Sequence, residues 1–94
     1  MVIWSHPVKA DLRSIHDYIA KNSPFYAKKV VQDIREKTDI LNTPPKIGNK
    51  VAELNDETIR ELSKYSYRIL YEISSQKIEI LAIVHKRKDF KADN

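Results

Sequence analysis

The chain has 94 residues, with 17 lysines and arginines against 13 aspartates and glutamates, and no cysteine. One domain of this size builds a single modest core without a deep enclosed pocket, so partners are expected at a surface, a groove or a sheet edge. The absence of cysteine excludes disulfides and thiolate chemistry, and no apolar run reaches the length of a membrane span. We expect one soluble, cytoplasmic domain over residues 1–94. The net charge of +4 suits an acidic or polyanionic partner and equally suits ordinary surface charge.

The first half of the chain predicts a hairpin of two helices over about residues 6–41. Apolar side chains recur at helical spacing in each helix, between charged residues. The first stripe consists of Val8, Leu12, Ile15 and Ile19. Ser5 and Ser23 are the predicted N-caps, and Pro24 fits the first turn of the second helix.

The second half predicts strands. Prolines and the only glycine of the chain make residues 42–57 a loop, and strands are expected over about 58–88. "YRILYEI" alternates in polarity, whereas "KIEILAIVH" is apolar on both faces and is typical of a central strand. With "MVIW" as a further strand, the order is β-α-α-β-β-β. We therefore predict an α+β domain in which a helical hairpin packs on one face of a small antiparallel sheet.

The residue patterns of ordinary enzyme classes are missing from the sequence. The three histidines have no metal-ligand spacing, and a single glycine cannot build a phosphate-binding loop. We expect no metal and no cofactor. What remains is a basic run, "HKRKDF", directly after the apolar segment. Grouped lysines and arginines of this kind bind phosphates or an acidic surface.

The basic run has a functional and a structural interpretation. If Arg60 and Arg68 project from neighbouring strands, they join Lys86, Arg87 and Lys88 in one positive cluster. His85 would then stand where an acid or base is useful. In the structural interpretation Arg68 pairs with Glu61 or Glu72, and the basic tail is simply solvated. Tyr65, Tyr67 and Tyr71 are assigned to the core or to the lining of a groove.

Several motifs in their order resemble one known family. "W…P.A..DL..I..YI" is followed by "L…PP..G", "IREL", "YRILYEI" and "KIEILAIVHKRKDF". Together they are similar to toxins of the RelE/ParE superfamily, the toxin halves of bacterial type II toxin–antitoxin modules, from about Ile3 to Phe90. The resemblance implies the same β-α-α-β-β-β fold. It also implies a cognate antitoxin as partner, in a toxin–antitoxin hetero-oligomer.

The RelE branch of this superfamily implies a ribosome-dependent mRNA endonuclease. Arg68 and Arg87 fall on two arginine positions of that branch, and with His85 they would be the catalytic residues. The two lysine positions of the branch hold Ile59 and Glu61 instead, and its C-terminal tyrosine is missing. A glutamate beside a phosphate is repulsive. The other candidate base, Glu53, lies in the predicted loop and is expected to be solvated.

The ParE branch fits the motifs better, through Arg60-Glu61 and through "H.R.D" at His85, Arg87 and Asp89. This branch implies binding to DNA gyrase without chemistry by the toxin itself. The target-binding residues predicted on this basis are Arg60, Arg68, Lys86, Arg87 and Lys88. A third hypothesis is a non-toxic module that binds only its antitoxin.

Overall fold

The computed structural model describes residues 2–42, 48–75 and 77–86, which form two helices and a five-stranded sheet. The elements in chain order are β1 (Val2–Trp4), α1 (His6–Ala20), α2 (Pro24–Asp39), β2 (Asn49–Lys50), β3 (Ile59–Lys64), β4 (Tyr67–Ile73) and β5 (Ile78–His85). None of the helices in this described part has the length and apolar character needed to cross a lipid bilayer.

Both helices begin where their caps predict. The hydroxyl of Ser5 accepts a hydrogen bond from the backbone N–H of Val8, and Ser23 accepts one from that of Tyr26. Each bond satisfies one of the backbone donors that a helix leaves unpaired at its start. The two helices are joined by residues 21–23, so they pack as an antiparallel hairpin.

The strands lie in the order β1-β5-β4-β3-β2. The α+β class and the helical hairpin are confirmed, and β5 is central as predicted. The sheet itself is mixed and not purely antiparallel, because β1 pairs with β5 in parallel, with Trp4 opposite Ile80. β5 runs in the same direction as β1, although α1, α2 and the other described strands separate them along the chain. The segment predicted as a loop contributes the two-residue strand β2 at the other edge.

The core lies between the helices and one face of the sheet, here called the helix face. Strand residues of this face are Leu62, Ile69, Tyr71, Ile78, Ile80 and Ile83, and all are buried against α1 and α2. Leu70 points to the opposite face, here called the far face, and is also buried. Alternation along β4 predicts a more exposed Leu70. Another part of the chain therefore covers Leu70 on the far face.

Gly48, directly before β2, stands at a close approach to β3 and β4. Its N–H donates to the phenol oxygen of Tyr71 at 2.9 Å. A Cβ at this position would lie 2.5 Å from the carbonyl oxygen of Glu61 and 2.5 Å from the Tyr71 oxygen. Side chains cannot occupy that space, so the only glycine of the chain is placed where a side chain would separate β2 from β3.

Candidate functional site

The far face carries the charged groups of the candidate site. Residues directly opposite each other in an antiparallel pair share a face, and Arg68 lies opposite Ser63 on β3 and Val84 on β5. Glu61 is two residues before Ser63 and therefore lies on the same face. Strand register alone thus brings Glu61 beside Arg68.

Arg68 is held between two carboxylates. Its Nη1 and Nη2 donate to the two oxygens of Glu53 at 2.7 and 2.8 Å. Its Nη2 and Nε donate to Glu61 at 2.6 and 3.2 Å. All three guanidinium nitrogens therefore engage a carboxylate. Paired donors of this kind match the fork of an arginine and form the strong class of charge-assisted hydrogen bonds.

The three side chains are largely removed from water. The side chain of Arg68 is 11% exposed, and those of Glu53 and Glu61 are 19% exposed. The hydrogen bonds to Glu53 and then to Glu61 raise the pKa of Arg68, against the opposing effect of burial. Two negative groups face one guanidinium, and Lys86 lines the same open groove. The formal charge of this groove is therefore zero.

The pairing of Arg68 with Glu61 confirms one part of the structural interpretation. The expectation for Glu53 was wrong, because this residue is not solvated but bound to Arg68. Glu53 lies after β2, and its bonds to Arg68 tie the segment after Val51 to the far face. We name the set of Glu53, Glu61 and Arg68 the carboxylate clamp.

Arg60 does not join Arg68. It lies opposite Tyr71, a residue of the helix face, whereas Arg68 is on the far face. The Nη1 of Arg60 donates to the carbonyl of Gly48 at 3.2 Å, and its buried Nε has no hydrogen-bond partner among the described residues. The structure therefore separates the two arginines that the sequence analysis combined in one cluster.

The end of β5 carries His85 and Lys86. The ring of His85 meets that of Tyr67 edge to face, with centroids 5.6 Å apart and planes at 79°. The N–H of Lys86 donates to the carbonyl of Ser66 at 2.8 Å, so this end of the strand is fixed against the β3–β4 turn. Arg87 and Lys88 lie outside the described residues, and their part in the predicted site stays a prediction.

Two features of the described residues concern metal ligation and the partners of the carboxylates at the site. Among residues 2–42, 48–75 and 77–86, no group of three or more histidine, cysteine, aspartate or glutamate side chains is placed to hold a metal ion. Glu53 and Glu61, the carboxylates nearest Arg68, are both engaged with it. Sequence reasoning missed the role of Glu53, since no local pattern connects a loop residue to a strand partner 15 positions away.

Comparisons with known proteins agree with this fold. Residues 2–90 match the family described as the ParE toxin of the type II toxin–antitoxin system, parDE. The chain is 32% identical over 85 residues to "Toxin RelE2" of Caulobacter vibrioides, covering 89% of this chain and 92% of that protein. It also resembles a solved chromosomal ParDE toxin–antitoxin system from P. aeruginosa. That match has a TM-score of 0.74 and 26% identity, and it covers 89% of this chain and 92% of the other.

These findings confirm the resemblance to the RelE/ParE superfamily of toxins. Within it, the chain belongs to the ParE toxin family of type II toxin–antitoxin systems. A cognate antitoxin is the partner that this membership implies.

Proposed function

We propose that this toxin acts in the cytoplasm by binding DNA gyrase and blocking it, without chemistry of its own. The carboxylate clamp is the observation that carries the proposal. A nuclease of the RelE type needs a free guanidinium to bind the phosphate and stabilise its developing charge. Here both Glu53 and Glu61 hold the guanidinium of Arg68, and they would repel a phosphate that approached it.

The match to the ParE family supports the same choice. The similarity to a protein named RelE2 supports an alternative function. In this alternative the chain is a ribosome-dependent mRNA endonuclease that uses Arg68, His85 and Arg87. In that alternative the clamp has to open on the ribosome before Arg68 can reach RNA. A module that only binds its antitoxin would have neither activity.

The deciding experiment adds the purified chain to a gyrase supercoiling reaction and, in parallel, to a translation reaction with ribosomes and mRNA. We expect supercoiling to stop, cleaved DNA to accumulate and the mRNA to stay intact. Cut mRNA with unaffected gyrase would refute the proposal and favour the endonuclease. No effect in either reaction would favour the antitoxin-binding module.

Variants of the basic run sharpen this test. Changing Lys86, Arg87 and Lys88 to alanine should severely reduce gyrase inhibition, whereas His85→Gln should have a mild effect because no proton transfer is required. The matched control removes the same charge elsewhere, by changing the exposed residues Lys9, Arg13 and Lys77 to alanine. If the control loses as much inhibition as the triple variant, net charge and not the basic run is responsible.

A further inference from the structure

Four aromatic side chains are exposed at one end of the molecule. Tyr18 is 70% exposed near the end of α1, and Phe25 and Tyr26 are 80% and 46% exposed at the start of α2. Tyr65, in the turn between β3 and β4, is 39% exposed. We name these four residues the aromatic tip. Large apolar side chains grouped on the surface of a small domain mark a docking surface more often than chance exposure does.

Two residues of the aromatic tip, Tyr26 and Tyr65, are held in place by specific contacts. The hydroxyl of Tyr65 donates to a carboxylate oxygen of Asp33 on α2. The rings of Tyr65 and Tyr26 meet edge to face, with centroids 6.4 Å apart. The backbone of Tyr65 has a φ of 54°, a conformation that non-glycine residues adopt only when their surroundings hold it. Aromatic side chains that are ordered before binding lose little conformational entropy on docking.

The geometry of the aromatic tip favours a protein partner over stacked bases. The planes of Tyr26 and Tyr65 are inclined at 71°, so the two rings do not form a continuous platform. The ammonium group of Lys64 lies 5.2 Å from the centre of the Tyr65 ring and occupies one face of it. Nucleic-acid platforms need open ring faces on which successive bases can stack. Protein interfaces instead bury tyrosines in many orientations.

The charges around the aromatic tip favour an acidic partner. Lys29 and Lys64 both lie near Asp33, whose carboxylate is already engaged with Tyr65 and, at 3.6 Å, with Lys29. The rim therefore offers positive charge, which would repel the same rim on a second copy of this chain. It attracts an acidic protein surface and accelerates its approach.

The aromatic tip is also continuous with the end of β5. Tyr67 lies opposite Lys64 in the β3–β4 pair, two residues after Tyr65, and therefore stands beside the tip. The other neighbour of Tyr67 is the ring of His85, directly before Lys86. One surface thus extends from the helical hairpin to His85 and Lys86 at the end of β5.

We propose that the aromatic tip is the surface by which this toxin docks on gyrase, with Lys86 at its border. This inference rests on the proposed function, because it names the same target. It moves the main contact from the arginines predicted on the strands to the aromatic side chains of the helical hairpin and the β3–β4 turn. Aromatic anchors surrounded by a charged rim are the usual centres of binding energy in protein interfaces.

The test changes Tyr18 and Phe25 together to serine and measures inhibition of purified gyrase holoenzyme. Both side chains are mostly in water, so the variant is expected to fold, which far-UV circular dichroism and thermal unfolding check directly. The matched control is Ile40→Ser, a similarly apolar side chain that is 38% exposed at the opposite end of α2. From the rise per residue of an α-helix, Ile40 lies about 20 Å from Phe25.

We expect the double variant to need at least about tenfold more toxin for half-inhibition, as loss of central anchors implies, and Ile40→Ser to stay within about twofold of the original chain. Amide hydrogen exchange in the gyrase complex should show protection over residues 18–29 and 64–67. A folded double variant with unchanged inhibition overturns the surface and leaves the proposed function intact. Protection confined to residues 49–56 and 77–83 would also overturn the aromatic tip as the docking surface and leave the proposed function intact. If the original chain has no effect on gyrase, both the docking surface and the proposed function are overturned.

Discussion

Replacing Arg68 with leucine tests the carboxylate clamp most directly. The change removes the guanidinium and leaves Glu53 and Glu61 facing each other, each with a side chain that is 19% exposed. Removing one partner from a fully buried ion pair costs about 3–5 kcal/mol, because the remaining charge has neither water nor a counter-ion. Partial access to water lowers this figure, and we expect a loss of about 2–4 kcal/mol in the free energy of unfolding.

The loss should be visible as a lower unfolding temperature. In a domain of this size each kcal/mol lowers Tm by about 4–8 °C, so Arg68→Leu should melt roughly 10–30 °C below the original chain. Far-UV circular dichroism at neutral pH measures this directly. Adding Glu53→Gln and Glu61→Gln to the variant should restore at least half of the loss, since the unpaired charges are then removed.

The matched control for this prediction is Arg13→Leu, which removes an exposed arginine from α1 and should change stability by no more than about 0.5 kcal/mol. An Arg68→Leu variant that melts within a few degrees of the original chain would show that Glu53 and Glu61 reach water without the guanidinium. If adding the two glutamine changes restores nothing, lost packing and not unpaired charge explains the destabilisation.

Two further predictions concern the edges of the fold. Gly48→Ala should destabilise the domain by about 1–3 kcal/mol in urea unfolding, because its Cβ would meet backbone and phenol oxygens at 2.5 Å. Tyr65→Phe should remove a pH-dependent part of the stability. The hydrogen bond from Tyr65 lowers the pKa of Asp33 from 3.8, and the same bond raises the pKa of Tyr65 from 10.0 to about 12. The stability lost in Tyr65→Phe should therefore be constant from about pH 5 to 9, and shrink at lower and at higher pH.

Each of these predictions has a control close to the changed residue. Ala52→Ser alters an exposed residue of the same segment as Gly48 and should be nearly neutral. A Gly48→Ala variant as stable as Ala52→Ser would mean that β2 shifts freely. Tyr18→Phe removes a phenol from the aromatic tip without touching Asp33, and should show no change in stability below pH 5. A pH-independent difference for Tyr65→Phe would contradict the role of its hydrogen bond.

Much of the fold could be predicted from local patterns. Apolar stripes and serine caps located both helices, because helix ends are determined by residues close in sequence. Alternation and an apolar centre located β4 and β5 in the same way. The direction of β1 could not be read from its residues, since three extended residues pair equally well in either direction.

The candidate site depended on contacts that no local pattern carries. Arg68 was predicted as a site residue, and its bond to Glu61, now observed, was one of two alternatives. Arg68 also donates two hydrogen bonds to the two oxygens of Glu53. That pairing depends on where an irregular segment crosses the sheet, and no short sequence motif determines this position. The separation of Arg60 from Arg68 follows from strand alternation once the register is known. Without the register of β3 against β4, the residue pattern alone placed both arginines on one surface.

The position of β5 between β1 and β4 has a consequence for synthesis of the toxin. Among the described strands β5 is synthesised last, and β1 has no partner in the sheet until residues 78–80 are available. Contacts between such distant parts of a chain form late and slowly. The sheet therefore assembles only after β5 has been made, whereas the helical hairpin depends on contacts close in sequence and can form earlier.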